Sequence, residues 1–418
     1  MTNNMLDLKF IRENPDLIKK NCADRRIKVD LDKFLSLDDE KKDLAREIEK
    51  LRAERNKKSK NKPGEEEFAA LRAVGEKIKT MEGRLEILNK EHRQIYLQIP
   101  NLTHPDSPIG GEGDYKVLET NGRPPKFSFS PKNHEELLVK NDLLDFERAT
   151  KTTAAKFYFC KNNLVRLNLA LLNYGLDVVA KYGYIPMETP DLAKDEILEG
   201  AGFAPRGPET QVYSIEKTDL SLIGTAEITV GGYHANEVLD LSKGPKKYAA
   251  ISHCFRTEAG AYGRESKGLY RVHQFTKLEL FVFCRPEESE KYHQEILEIE
   301  KKIVSGLKLP FRVIDIPTGD LGSPAYRKFD IEVWLTMKGE KGGWGELTSC
   351  SNCTDYQARR LNIKYKKADG SSEFVHTLNG TAVVLSRFPL AIAENFQQKD
   401  GQIKTPKVLK KYCGLKKI

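Results

Sequence analysis

The sequence contains no run of eighteen apolar residues, so no segment reads as a transmembrane helix. Its first residues, MTNNMLDLKFIRENPDL, lack both the apolar core of a secretory signal and the Arg/Ser-rich character of a transit peptide, which predicts a cytoplasmic protein. Cysteine is scarce. Seven are scattered at 22, 160, 254, 284, 350, 353 and 413, an odd and sparse set that argues against a disulfide framework and for a reducing compartment. Cys350 and Cys353 have the spacing of half a zinc site, but no second pair with that spacing occurs, and a closed tetrahedral site needs four ligands. Neither a strand–GxGxxG–helix pattern nor a P-loop is present, which leaves the two commonest nucleotide-binding folds without support.

What is present is charge. Asp, Glu, Lys and Arg make up 31% of the 418 residues, aromatics 9%, and the net charge is +8. That balance permits an anionic partner without demanding one, and the length allows two or three domains.

Charge concentrates between residues 34 and 98. There apolar residues recur at Leu37, Leu44, Ile48 and Leu51, and again at Phe68, Leu71, Val74, Ile78, Met81, Leu85, Leu88 and Ile95, with His92 at the remaining seam position. Alternating steps of three and four predict a coiled-coil seam, and Pro63-Gly64 breaks it into two antiparallel helices. Near the break stand Arg52, Arg55, Lys57, Lys58, Lys60 and Lys62, which read either as a solvated helix end facing Glu65, Glu66 and Glu67 or as a phosphate-binding tip. Pro- and Gly-rich sequence follows, and residues 101–120 are expected to be a linker. Beyond it, short apolar runs at 249–256, 269–283, 311–316, 330–336 and 375–385 predict strands, and 162–181, 287–307 and 388–397 predict helices. Strands with segregated helices predict an α+β domain on an antiparallel sheet.

The segment CFRTEAGAYGRESKGLYRVHQFTKLELF, residues 254–281, places charges within two of these strands. With strands at 249–258 and 270–283, alternation puts Arg271, His273, Phe275, Lys277 and Glu279 on one face, with Val272 on the other and Arg256 and Glu258 across the hairpin. Charges on a buried sheet must be paired or serve a ligand. Guanidinium groups beside an aromatic ring, with acids near, suit an adenine nucleotide.

Phe255-Arg256-Thr257-Glu258 with Val272-His273-Gln274-Phe275 resembles the second signature motif of the class II aminoacyl-tRNA synthetases, and TLNGTAVVLSRFPLAIAENFQ (377–397) the third. GYIPMETP, after the 162–181 helix, resembles the dimer-forming first motif. Thr225-Ala226-Glu227, the stretch SCSNC (349–353) and the helical hairpin make the whole chain similar to the seryl-tRNA synthetase family. The resemblance implies an N-terminal tRNA-binding domain at 1–100, a catalytic domain at 121–418, a homodimer, and activation of L-serine by ATP with Mg²⁺ before transfer to the 3′ end of tRNA(Ser); it leaves tRNA(Sec) open as a further acceptor. It implies catalytic roles for Arg256, Glu258 and Arg387, with Arg256 on the α-phosphate and Arg387 on the γ-phosphate. Thr225, Ala226, Glu227, Glu279, Asn379 and Thr381 would bind serine. Thr257, Val272, Phe275, Glu346, Leu347, Thr348 and Ser349 would complete the ATP site, with Glu346 and Ser349 on the metal, and Arg52, Arg55 and Lys58 would meet tRNA.

Pro389 departs from the family's third motif. Proline is tolerated only in a helix's first turn, so the helix is expected to begin close to Arg387. Two rivals remain at this point: a related ligase acting on a carrier protein, and a coiled-coil scaffold with a degenerate body. The basic hairpin argues against the first, and intact Arg256, Glu258, Glu279 and Arg387 against the second.

Overall fold

The computed structural model describes residues 7–59, 64–203, 211–258 and 268–418. Two compact units divide the chain, Met1–Leu102 and Thr103–Ile418.

In the first unit, α1 (Leu31–Ser59) and α2 (Glu65–Gln98) form the hairpin read from the heptads. The 34 residues of α2 reach about 50 Å at 1.5 Å per residue. Leu37, Ile48, Ile78 and Leu88 are buried in the seam, and His92 stacks on Phe34 with ring centroids 4.3 Å apart. The ion pairs Arg84–Glu40, Lys77–Glu47 and Arg52–Glu82, at 2.9, 3.0 and 2.6 Å, cross between the helices. The seam stops short of the turn: Phe68 is 66% exposed. Arg55-Asn56-Lys57-Lys58-Ser59, which ends α1, offers it no apolar partner. Lys60 and Lys62 lie outside the described residues.

The second unit is built on an eight-stranded sheet: β1 (Lys116–Asn121), β2 (Ile185–Glu188), β3 (Lys246–Phe255), β4 (Gln274–Cys284), β5 (Phe311–Asp315), β6 (Arg327–Leu335), β7 (Gly343–Asn352) and β8 (His376–Val384). Their spatial order is β1-β5-β6-β7-β8-β4-β3-β2. Every neighbouring pair is antiparallel except β2 with β3. This is the α+β, antiparallel-sheet architecture expected. The helices α3 (Asn163–Ala180), α4 (Ala226–Tyr233), α5 (Ser289–Leu307) and α6 (Arg387–Phe396) accompany it. Leu278, Leu280 and Val282 of β4 join apolar residues of α3 and α5 in the main core, while Phe281 and Phe283 enter a second cluster with Ala226 and Val230 of α4. The far half of β4 is therefore buried on both faces, and only its first half borders a cleft. The helix after β8 begins at Arg387, with Pro389 in its first turn as its chemistry requires.

Three stretches differ from expectation. Residues 116–120 lie within the expected linker yet form, with Asn121, β1, paired with β5. Five of its six residues are exposed, so no alternation marks the strand. The stretch before it is held by hydrogen bonds from His104 N–H to the Tyr326 carbonyl (2.9 Å) and from Thr318 N–H to the Pro108 carbonyl (2.8 Å). Strand β4 starts at Gln274 rather than at 270, because pairing with β3 ends at Phe255–Gln274 and a 3-10 turn occupies Gly268–Tyr270. Arg271, Val272 and His273 therefore do not obey strand alternation. Strand β7, rich in glycine and polar residues, was not foreseen and carries a bulge opposite Ile331–Glu332.

Candidate active site

A cleft of about 250 Å³ opens over β4, β7 and β8. Strand alternation brings Phe275, Lys277 and Glu279 to it from β4, Ser349 and Ser351 from β7, and Asn379 and Thr381 from β8, while the bulge in β7 brings Glu346 to the same side. The start of α6 adds Arg387, and the chain after β3 adds Arg256 and Glu258. Thr225 caps α4 by accepting from the Glu227 N–H at 3.2 Å, which places the Glu227 carboxyl in the first helical turn and inside the cleft.

At one end, arginines and rings alternate. The Arg256 guanidinium lies 5.2 Å from the Phe275 ring centroid, and Arg387 lies 5.0 Å from that of Tyr270. Arg256 also donates to the Gly224 carbonyl at 3.3 Å. Arg387 is 2.7 Å from Glu346. Burial opposes ionisation of Glu346, but Arg387, Lys328 and the hydrogen bond from Arg387 outweigh it and hold the carboxyl down at about 2. Glu258 pairs with Arg271 at 3.2 Å, not with Arg256, and has φ 51°. A non-glycine residue held in the left-handed region is a recurrent mark of functional sites.

At the other end, carboxyls crowd together. Burial, reinforced by neighbouring Glu279, pushes Glu227 up to about 7 despite Lys277 and the hydrogen bond from Gln357. Glu279 is also raised by burial, although Lys277 is ion-paired with it. Gln357 and Asn379 donate to Glu227 Oε1 at 2.7 and 2.9 Å.

Most expected residues meet on this wall: Thr225, Glu227, Arg256, Glu258, Val272, Phe275, Glu279, Glu346, Leu347, Thr348, Ser349, Asn379, Thr381 and Arg387. Val272 reaches it despite its assignment to the opposite face, since it precedes the strand. His273 does not. Its Nδ1 lies 2.8 Å from the Arg256 carbonyl, holding the backbone that carries Arg256. Leu347 packs in the core and Thr348 donates to Glu300 at 2.7 Å, so those two side chains are committed away from a ligand. Ala226 is fully buried in the α4 cluster, and Thr257 sends its N–H to the Gln211 carbonyl at 3.1 Å; neither lines the cleft. Tyr270 and Gln357 were not singled out. Gln357 comes from a short helix with no sequence signal, whereas Lys277 was visible on the charged face of β4 but was given no role.

Comparison with known proteins assigns this geometry. The family model "tRNA synthetase class II core domain (G, H, P, S and T)" matches residues 211–396, which span the cleft, so the class is that of the class II aminoacyl-tRNA synthetases. The model "Seryl-tRNA synthetase N-terminal domain" matches residues 5–103. Over 99% of this chain and 100% of theirs, the sequence is 50% identical to the serine–tRNA ligase of Treponema denticola, and it is 48% identical to that of Dictyoglomus turgidum over 99% of each. Among solved structures, seryl-tRNA synthetase from Pyrococcus horikoshii complexed with ATP aligns with TM-score 0.88 at 38% identity, covering 99% of each chain. The cytoplasmic serine–tRNA ligase of Naegleria fowleri in complex with AMP aligns at 0.83 and 32%, also covering 99% of each. The chain belongs to the seryl-tRNA synthetase family.

Proposed function

We propose that this protein is a serine–tRNA ligase that activates L-serine with ATP and transfers the seryl group to the 3′ end of tRNA(Ser). The observation that carries this reading is the polarity of one cleft: arginines over aromatic rings at one end, buried carboxyls at the other. ATP is assigned to the first end. A base stacking on Phe275 would displace the Arg256 guanidinium from that ring while the α-phosphate draws it away, two moves of one side chain. Glu258 contacts the nucleotide and Arg387 takes the γ-phosphate. With Leu347 and Thr348 side chains committed elsewhere, that stretch of β7 offers ATP its backbone.

Serine is assigned to the second end, with Thr225, Glu227, Glu279, Asn379 and Thr381. With Lys277 paired to Glu279, its ammonium group supplies the positive charge that Glu227 lacks, and ionisation of Glu227 near neutrality follows its arrival. The serine carboxylate then attacks the α-phosphate in line, forming a P–O bond as pyrophosphate leaves. Catalysis is positioning and charge stabilisation, without a covalent enzyme nucleophile.

Glu346 and Ser349 suit Mg²⁺. A carboxyl held at about 2 stays an anion, and with the Ser349 hydroxyl on the same cleft wall it would supply the sparse oxygen set that Mg²⁺ takes when phosphates complete its shell. Bound there, the ion would offset phosphate charge.

Residues 1–100 are assigned to tRNA binding through Arg52, Arg55 and Lys58, and 121–418 to catalysis. A homodimer is supported by Val165 and Leu169 on α3 and Ile185 on the edge strand β2, which are 41%, 57% and 55% exposed. An active monomer in sedimentation would rule it out. A cytoplasmic location fits the small, odd number of cysteines, seven in 418 residues.

The reading is tested by serine-dependent ATP–pyrophosphate exchange followed by charging of tRNA(Ser). Exchange with serine but not alanine, then charging, is expected; exchange without charging would favour the carrier-protein rival.

A further inference from the structure

Arg387 and Tyr270 meet in the cleft from separate elements, α6 and the 3-10 turn Gly268–Tyr270. Beneath them, outside the cleft wall, His134 and Glu394 are both fully buried and paired at 2.8 Å. Glu394 stands seven residues after Arg387 on the same helix, about two turns along. Its Oε1 accepts from the His134 backbone N–H at 3.0 Å as well as from the ring, and its Oε2 accepts from the Thr336 hydroxyl (2.9 Å) and the Met337 N–H (3.1 Å). The other ring nitrogen, His134 Nε2, receives the Leu269 N–H at 3.0 Å. A backbone N–H can only donate, so Nε2 is the acceptor and the neutral ring carries its proton on Nδ1, toward Glu394.

We propose that His134 and Glu394 are a positioning pair for the ATP end of the cleft, linking the helix that carries Arg387 to the turn that carries Tyr270. The proposal rests on the reading of that end as an ATP site. The ring spans the two elements with one donor and one acceptor, so neither can shift without breaking a buried hydrogen bond. Gly268 makes the approach possible. It has φ +57°, and a Cβ there would stand 2.3 Å from His134 Nε2. Arg387 and Tyr270 are thereby presented together before any ligand arrives. The serine end hangs on α4, β4 and β8 and has no part in the pair.

The test compares His134→Ala, His134→Gln, Gly268→Ala and the double variant His134→Ala/Gly268→Ala. It uses pyrophosphate-exchange kinetics, active-site titration and ATP affinity by calorimetry. His134→Ala should weaken ATP about tenfold in both KM and Kd, while the KM for serine changes by less than about twofold. His134→Gln should recover most of the loss, because an amide can donate to Glu394 and accept from Leu269. Gly268→Ala should reproduce the ATP effect with the core intact, and once His134 is alanine its added effect should shrink to the backbone strain of an alanine at positive φ, because the group it strikes is gone. The proposal is overturned if ATP and serine weaken in parallel, or if only the fraction of active sites falls. An unchanged ATP affinity in Gly268→Ala overturns it even if His134→Ala fails to fold. Wild-type protein that binds ATP but exchanges no pyrophosphate would sink the reaction assignment instead, while the Kd ratios would still decide the positioning claim.

Discussion

The two ends of the cleft hold glutamates, Glu346 on β7 and Glu227 in the first turn of α4, and treat them in opposite ways. Glu346 is held at about 2 and Glu227 is pushed to about 7, although burial acts on both in the same direction. The difference lies in their partners. Glu346 has Arg387 at 2.7 Å and Lys328 acting on it. Glu227 has a second raised carboxyl, Glu279, beside it, and Lys277 is ion-paired with that neighbour. One end is therefore charge-complete without a ligand, and the other is built to receive a cation.

Arg256 spans this contrast, since its charge lowers Glu227, Glu279 and Glu346 alike. Arg256→Ala should reduce pyrophosphate exchange about a thousandfold with the melting temperature little changed, the size expected for losing a cation aimed at developing charge. Near-normal exchange in the folded variant would break the assignment of the phosphate end.

Glu227→Gln measures the strain at the other end directly. A carboxyl raised to about 7 from 4.5 holds a proton in the folded state that the unfolded chain has released, so wild-type stability falls as pH rises from about 4.5 to 7 and levels off above. Relative to the variant, which has no such group and keeps an acceptor for Gln357 and Asn379, the wild type should lose up to about 3 kcal/mol across that window. Denaturant midpoints at pH 4 and pH 8 that differ equally in both proteins would show that Glu227 is not strained.

Glu279→Ala should raise the KM for serine about thirtyfold and leave the KM for ATP nearly unchanged, as expected for one charge-assisted contact. Equal loss of both substrates would merge the two ends into a single nucleotide site.

The smallest effect is expected where charge is exposed. Arg52 and Lys58 are exposed on α1, Arg55 lies across Gly75, and Arg52 is already paired with Glu82. Replacing all three with glutamine should leave pyrophosphate exchange intact and raise the KM for tRNA severalfold. The salt dependence of charging should flatten by about 0.7–0.9 in slope for each phosphate that is no longer neutralised. Parallel loss of exchange and charging would mean that the hairpin stabilises the body rather than holding RNA.

Local pattern carried much of this into the sequence. The heptads of α1 and α2, the helices α3, α5 and α6 and the charged first half of β4 all rest on periods of 3.5, 3.6 or 2, which neighbours in sequence determine. The strands that escaped notice lack such a pattern: β1 is exposed on both faces, and β7 holds its place by pairing with β6 and β8. His273 and Val272 exchanged faces because alternation holds only while pairing lasts, and pairing ends at Gln274.

Residue types and their order were enough to bring Arg256, Glu258, Glu279, Asn379 and Arg387 to one cleft, because each stands on or beside a strand of a single sheet. They could not say which carboxyl would ionise easily. That depends on desolvation and on partners distant along the chain: Arg387 lies 41 residues from Glu346, and Gln357 lies 130 from Glu227. Electrostatic energy follows distance through space and the exclusion of water, and both are set only when the tertiary structure closes.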